Sequence, residues 1–385
     1  MNNFEYCCPT HVVFGKGSIS KLRELIPQDK KVLMIYGGGS IKKNGVYEQV
    51  KSALDGYNLL EFGGIEPNPK YETCMKAVEI VKNEGVDFLL SVGGGSTLDG
   101  TKFISLASCY DGDDAYDAIM IREEHPDRFI PIGDVITLPA TGSEMNDGAV
   151  ISRLATDEKL PFHDSRVYPK FSLIDPEVTF SLPVKQTVNG IVDTFVHTME
   201  QYCTYDVNSP LQDDWALGIL RTLIKEAPKV LANPCDYDAR ANIFWCATCG
   251  LNYWISLGVV QDWATHMIGH ELTAFYGIDH GQSLAIVEPR LLKNQKVAKA
   301  QKLAKLAREI FGVNESVDLK AADIAIDKIE EFFNSIGMKT KLADYGIDAA
   351  EAAQKVRDRF RVRGTKIGEK CQIDADVTYD ILINC

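Results

Sequence analysis

No run in this chain of 385 residues approaches the roughly 18 consecutive apolar residues that a membrane-spanning helix requires. Its start, Met1-Asn2-Asn3-Phe4-Glu5-Tyr6, lacks both the basic end and the apolar stretch of a signal peptide, so a cytoplasmic location is expected. Basic residues are in deficit, 41 Lys plus Arg against 54 Asp plus Glu, for a net charge of −13. That imbalance argues against a nucleic-acid surface, which draws on clustered cations to displace counterions. The ten cysteines form no disulfide framework. Cys246 and Cys249, a single CxxC, lie in an apolar helical run with no second ligand pair nearby and read as buried small residues. Internal repeats and low-complexity tracts are also missing. What remains, 45% apolar and 25% charged residues over a length too great for one ordinary core, is a globular protein of two domains.

The first half alternates short β-type runs with helical ones. Strands are predicted at 31–36, 58–62, 87–92 and 134–138, with helices at 45–54, 71–83 and 96–108 between them. Such alternation implies a parallel sheet covered by helices on both faces. Two β-type pieces follow, at 149–153 and 171–175. Beyond Pro183 strands nearly vanish, and helical runs are predicted at 184–203, 211–231, 238–256, 262–275, 296–311, 319–336 and 349–361. The shift places an α/β domain over 1–182 and an all-helical domain over 183–385.

Three turns carry candidate nucleotide chemistry. Val92-Gly93-Gly94-Gly95-Ser96 follows a strand and opens a helix, where backbone N–H groups hold phosphate and glycines let it approach. It matches neither standard fingerprint: Leu98 takes the place of the third glycine of GxGxxG, and Thr101-Lys102 reverses the order of a P-loop. A tight turn with Ser96 and Asp99 as helix cap and first-turn partner explains it equally well. The second copy, Gly37-Gly38-Gly39-Ser40, has no acid to grip a ribose 2′-hydroxyl and is followed by Lys42 and Lys43, so NADP(H) is preferred if a nicotinamide nucleotide binds. Thr137-Leu138-Pro139-Ala140-Thr141-Gly142-Ser143-Glu144 ends a buried strand, with hydroxyls for a ribose or phosphate or simply a loop shaped by Pro and Gly.

Four of the seven histidines fall between 197 and 280. Asp193 and His197 are four apart on a predicted helix and share one face, and His266 and His270 repeat the spacing. On the first helix Val188, Ile191, Val192, Phe195, Val196 and Met199 form the apolar stripe, so Asp193 and His197 face water or a polar cleft. His280 follows in a loop. One carboxylate with two or three imidazoles suits Zn²⁺ or Fe²⁺ rather than Mg²⁺ or Ca²⁺. Each pair alone is as well explained by a solvated face or by satisfied core histidines. Their occurrence beside a nucleotide-site candidate favours ligands.

With these motifs, and with Phe14-Gly15-Lys16-Gly17, Glu66-Pro67-Asn68-Pro69 and Asp279-His280-Gly281, the whole chain resembles the iron-containing, or group III, alcohol dehydrogenases. Within them it is similar to the NADPH-dependent aldehyde reductase and butanol dehydrogenase branch. The resemblance implies a Rossmann-like N-terminal domain, a helical C-terminal domain, an active site in the cleft between them and a homodimer. It implies metal ligation by Asp193, His197, His266 and His280, with His270 near the substrate and off the metal. Pyrophosphate contacts carry over to Gly94, Gly95 and Ser96, and adenosine and ribose contacts to Thr137, Leu138 and Thr141. Lys159 matches a lysine on the nicotinamide ribose, and Gly38 stands where NAD-specific members carry Asp. Gly37, Ser40, Lys43, Asn68 and Ser143 complete the nucleotide set, and Asn146 and Trp254 are pocket candidates. The expected reaction is hydride transfer between NADP(H) and short- to medium-chain aldehydes or primary alcohols, with iron or zinc. Three alternatives compete with it. A zincin-like hydrolase is opposed by Met267, which stands where that motif needs Glu. A dehydroquinate-synthase-like lyase or cyclase would use the same scaffold without net oxidation, and a binding protein would carry a vestigial site.

Overall fold

The computed structural model describes residues 1–385. Two compact units divide the chain: Cys7–Pro183 with Pro234–Thr248, and Met1–Tyr6 with Val184–Asn233 and Cys249–Cys385.

The first unit holds strands His11–Phe14 (β1), Lys31–Tyr36 (β2), Asn58–Gly63 (β3), Phe88–Gly93 (β4), Ile132–Ile136 (β5), Gly148–Arg153 (β6), Glu158–His163 (β7) and Phe171–Ile174 (β8). Six form one sheet in the order β1-β8-β5-β4-β2-β3, every pair parallel, and β6 and β7 make a separate antiparallel pair. The pleat sends Val32 and Met34 to one face and Leu33 and Ile35 to the other. The first pair packs with Leu90, Val92, the single-turn helix α1 (Leu22–Leu25) and α2 (Val46–Ala53). The second packs with Leu89, α3 (Tyr71–Glu84) and α4 (Gly95–Ala107). A sheet covered on both faces needs apolar residues at successive positions, so β2 and β4 stand out as unbroken runs in the sequence. The strand expected at 134–138 lies two residues earlier. Its register, Leu89 opposite Ile132 to Gly93 opposite Ile136, ends it level with β4 and leaves Thr137 and Leu138 beyond the sheet.

The second unit is built from helices α5 (Val184–Tyr202), α6 (Pro210–Ala232), α8 (Ala264–Tyr276), α9 (His280–Asn294), α10 (Lys296–Phe311), α11 (Asp318–Ser335), α12 (Ala349–Arg363) and α13 (Ala375–Leu382). The intervening helix α7 (Tyr237–Gly250) lies mostly in the first unit, where Phe244 packs with Ile136 and Ile174 and Trp245 meets Phe14 edge-on at 5.8 Å. α9 corrects an expectation, because His280 is the first residue of a helix and not part of a loop. Gly281 in its first turn and Pro289 inside it both read as helix breakers. The capping box between Asp279 and Gln282 starts the helix, and buried Leu284 to Val287, Leu291 and Leu292 carry it through the proline. No helix is long and apolar enough to cross a membrane.

The sheet carries one buried polar rung, Ser91, Asp134 and Ser172, at matching positions of three neighbouring strands. Ser172 donates to Asp134 Oδ2 at 3.0 Å. Burial, and then the charge of Glu144, pushes the Asp134 carboxyl up to about 8 from 3.8. The folded state therefore holds a proton that the unfolded chain releases near pH 4, and stability falls as pH rises through the window from 3.8 to about 8. Asp134→Asn keeps the shape and removes the charge. Its stability relative to wild type should be near zero at pH 4 and should grow towards pH 8 by on the order of 1 kcal/mol per pH unit. Urea unfolding across that range measures it, and a difference independent of pH would contradict a neutral buried carboxyl.

Candidate functional site

The order of the sheet reverses between β2 and β4, since β2 leads outward to β3 while β4 leads the other way to β5. Open parallel sheets bind ligands at the carboxyl ends of strands at such a point. Both glycine turns sit there. Gly37 to Gly39 leave β2, and Gly94 and Gly95 lead from β4 into α4. A Cβ on Gly95 would lie 2.3 Å from Thr141 Oγ1, and one on Gly94 would lie 3.2 Å from Leu138 Cβ, so glycine is what lets that loop close over the N-terminus of α4. Thr137 joins it, donating its N–H to Gly93 O at 2.8 Å. Asn68, in a left-handed conformation, donates its N–H to Ser96 Oγ at 3.4 Å. Gly37, Gly38, Ser40, Asn68, Gly94, Gly95, Ser96, Thr137, Leu138 and Thr141 thus belong to one edge. Lys43 is exposed just after the β2 turn, while Lys42 holds its ammonium 4.8 Å and 4.9 Å from the rings of Tyr36 and Tyr47.

Beneath this edge lies a polar network that the sequence did not reveal. Lys102, fully buried on α4, donates to Ser143 O and Oγ, Asn146 O and Oδ1 and Gly148 O at 2.8–3.1 Å. Burial pushes its ammonium down to about 8, with Asp99 opposing. Ser143 also donates to Asp99 Oδ1 at 2.8 Å, so its hydroxyl is engaged inside the protein, as is the side-chain oxygen of Asn146. Lys159, buried on β7, acts electrostatically on Asp99. Sequence spacing signalled Lys102 only as a misplaced P-loop lysine.

The second unit gathers the histidines. Asp193 and His197 on α5 are 3% and 5% exposed, so their face looks neither to water nor to the apolar stripe but into a cluster of imidazoles. Asp193 Oδ1 lies 3.6 Å from His197 Nε2, 3.6 Å from His266 Nε2 and 3.5 Å from His280 Nε2. Ligand atoms of Asp193, His266 and His280 fall within 4.8 Å of one another. His197 reaches the same carboxylate oxygen but stacks its ring on His266 at 4.5 Å, and it is the outlying member. Bonds of about 2.1 Å in a tetrahedron place ligand atoms roughly 3.4 Å apart, so these separations are those of a site for one small ion. His266 Nε2 is buried and makes no hydrogen bond, which fits an atom whose partner is a metal. Burial opposes a charge on His266, yet Glu200 and Asp193 outweigh it and push the ring up to about 9, so an ion must displace a proton to bind. His270, one turn further along α8, is buried with its ring 5.3 Å from that of His280 and 6.2 Å from that of His266. Trp254 is half-buried in a short turn that follows Tyr253 in a left-handed conformation.

Neighbouring residues hold the cluster in place. Asp279, immediately before His280, accepts from Asn189 Nδ2 at 2.7 Å and Lys185 Nζ at 2.9 Å, both on α5 and upstream of Asp193. Gly281 lies against that segment, and a Cβ there would stand 2.8 Å from Asn189 Cα and O. Helices α5 and α9 therefore meet backbone to backbone, one turn before Asp193 and directly after His280, which fixes how close those two residues can come. Glu200, also on α5, accepts from His266 Nδ1. Its place at i+7 from Asp193 and i+3 from His197 was a helical-face signal available in the sequence.

A doubly covered parallel sheet with glycine turns at its switch point, and a helical unit with an Asp/His cluster, are the parts of an enzyme that works with a nucleotide and a metal. Comparison with known proteins makes the class specific. The profile described as iron-containing alcohol dehydrogenase matches residues 9–176, and that of the C-terminal part of the Fe-containing alcohol dehydrogenase family matches 187–365. The chain is 49% identical to the NADPH-dependent aldehyde reductase YqhD of Escherichia coli, over 99% of both chains, and 37% identical to NADH-dependent butanol dehydrogenase A of Clostridium acetobutylicum, over 99% of both. A crystal structure of Escherichia coli YqhD superimposes with a TM-score of 0.97, covering 99% of this chain and 98% of that one at 49% identity. That of NADH-dependent butanol dehydrogenase A from Thermotoga maritima gives 0.93 at 36% identity, covering 99% and 98%. The chain belongs to the iron-containing alcohol dehydrogenase family, in its aldehyde reductase and butanol dehydrogenase branch. It is accordingly an NAD(P)-dependent alcohol dehydrogenase or reductase that uses a metal and a nicotinamide cofactor, and the match gives no support to the lyase alternative.

Gly281→Ala tests the close approach of α5 and α9. Overpacking should destabilise the protein by about 1–3 kcal/mol and weaken metal binding along with it. Thermal unfolding of the metal-free protein, followed by a Zn²⁺ titration, reads both effects, and a variant as stable as wild type would mean that the backbones are not in contact there.

Proposed function

We propose that this protein reduces short- to medium-chain aldehydes to primary alcohols, with NADP(H) preferred over NAD(H) and one divalent ion, Fe²⁺ or Zn²⁺, held by Asp193, His197, His266 and His280. The observation that carries the reading is the single carboxylate oxygen with three imidazole nitrogens at 3.5–3.6 Å. Three neutral nitrogens and one anionic oxygen suit a borderline divalent ion and leave it a net positive charge. Such an ion, when bound, polarises a carbonyl oxygen as a Lewis acid, and the nicotinamide supplies the hydride. The chain's own part is to position and to protonate. Asp193 offsets charge where it would otherwise be isolated in a buried site. His270, close to the ligand rings on α8, gives a proton to the oxygen that becomes negative as the carbonyl is reduced, since imidazole titrates near neutral pH.

The preference for NADP(H) rests on the β2 turn. Gly38 is exposed, with nothing within 4 Å of where a Cβ would be, so a 2′-phosphate has room. Ser40 and Lys43 are exposed beside it, and Lys42 adds positive charge. No carboxylate lies within the turn to repel an anion. Gly94, Gly95 and Ser96 take the pyrophosphate, Thr137, Leu138 and Thr141 the adenosine and ribose, and Lys159 the nicotinamide ribose, with Asn68 and Ser143 supporting the turns around them. Trp254 is assigned to the substrate pocket, whereas the side-chain oxygen of Asn146 is taken up by Lys102 and Gly148 within the sheet unit. A homodimer is the proposed assembly, to be checked by sedimentation.

His266→Ala should lose both metal and aldehyde reduction. His270→Ala should retain one equivalent of metal and lose about 10²- to 10⁴-fold in kcat, the range expected of a general acid. Loss of metal from the second variant would make His270 a ligand instead. Because space is open at Gly38, Gly38→Asp should fold normally and shift kcat/KM from NADPH towards NADH. An unchanged preference would place the discriminating contact elsewhere. Treatment with a chelator should abolish NADPH oxidation with an aldehyde, and Zn²⁺ or Fe²⁺ should restore it.

A further inference from the structure

Helix α8 starts without a cap of its own. Trp263, the residue before it, has a φ of 61° and its side chain makes no capping hydrogen bond, so the first N–H groups need partners from elsewhere. Asp262 Oδ1 takes Ala264 N at 3.0 Å. The next two, Thr265 N and His266 N, both go to Glu200 Oε1 on α5, at 2.6 Å and 3.3 Å. The second oxygen of that carboxylate, Oε2, accepts from His266 Nδ1. Glu200 is 4% exposed. One buried side chain from a neighbouring helix therefore caps α8 and grips the ring of a residue in its first turn. Thr265, between the two bonded N–H groups, is tied down in turn by donating its hydroxyl to the buried Glu288 at 2.6 Å.

A carboxylate oxygen accepts, so His266 keeps a proton on Nδ1 facing Glu200, and Nε2, 3.6 Å from Asp193 Oδ1, is the nitrogen left for a metal. We propose that Glu200 is a positioning residue for the metal centre, setting the tautomer and heading of His266 and thereby the affinity of the site for its ion. The inference rests on the assignment of Asp193, His197, His266 and His280 as ligands. Metal-binding histidines commonly pass their second N–H to a carboxylate, and removing that partner weakens binding by about 10- to 100-fold. A purely structural Glu200, serving only as a cap, would change stability and leave metal affinity alone.

Glu200→Gln separates the two roles. Its amide oxygen can still accept from the N–H groups of Thr265 and His266. Its NH₂ then faces His266 Nδ1 as a donor and drives the ring proton to Nε2, the position the metal needs. The full-length metal-free protein is titrated with Zn²⁺ in competition with a chromogenic chelator, and Co²⁺ is added separately to record its absorption bands. Wild type, E200Q and H266A are compared. We expect E200Q to bind Zn²⁺ about 10- to 100-fold more weakly than wild type, with altered Co²⁺ bands, and H266A to bind still less. Wild-type affinity and an unchanged Co²⁺ spectrum in E200Q would overturn the role of Glu200 while leaving the ligands standing. No Zn²⁺ uptake by wild type would remove the ligand assignment and this inference with it. Should E200Q fail to fold, Glu200→Asp serves the same comparison. It keeps the charge one methylene short, and undiminished Zn²⁺ affinity there would also overturn the proposal.

Discussion

Everything in the helical unit near residue 193 is arranged around one buried carboxylate. An Asp taken out of water is costly unless charge or hydrogen bonds compensate, and Asp193 has three imidazole nitrogens within 3.6 Å of a single oxygen. Those rings come from three helices, α5, α8 and α9. Their convergence is what the helix packing must deliver. The contact of Gly281 with Asn189 holds α9 against α5, the capping box at Asp279 fixes where α9 begins, and the bond from His266 to Glu200 holds α8 to α5. The same negative field raises the affinity of His266 for a proton, so proton and metal compete for one position.

The sheet unit solves a different problem with glycine. A phosphate-bearing ligand needs backbone N–H groups exposed at the end of a strand, and side chains at Gly94 or Gly95 would collide with Leu138 and Thr141. Directly below, the structure is rigid and charged in a way that an open loop would not tolerate. Lys102 satisfies a set of carbonyl and hydroxyl oxygens from Ser143 to Gly148, joining α4 to the loop after β5. Asp134, one layer deeper, is neutral by burial and bonded to a serine on the adjoining strand. Flexible-looking glycine turns are thus mounted on a buried, hydrogen-bonded polar base.

The legibility of each feature in the sequence followed its physical range. Strands β2, β3 and β4 and helices α3, α4, α5 and α10 were readable because a doubly covered sheet and amphipathic helices leave periodic patterns within a short window. Strand β1, four residues long and paired on one side only, has too little pattern to register. Helix α9 was hidden because Gly281 and Pro289 are local breakers, and only distant packing overrides them. Pairs such as Asp193 with His197 announce themselves through the helical repeat. Glu200 shares that repeat, but its significance depends on α8 being alongside, and Lys102 gave no such signal, since its acceptors lie some forty residues away in the chain.

By itself the sequence determined which elements form, where the α/β pattern ends, and which residue types are available for an ion and a nucleotide. Hydrophobic period, turn chemistry and donor identity are local properties of a chain. Tertiary structure alone decided that three imidazoles meet at one oxygen of Asp193, that the glycine turns share the switch point of a single sheet, and that Glu200 and Lys102 are buried partners rather than surface charges. Those outcomes depend on angles and separations between elements far apart in the chain, and such distances are set by packing.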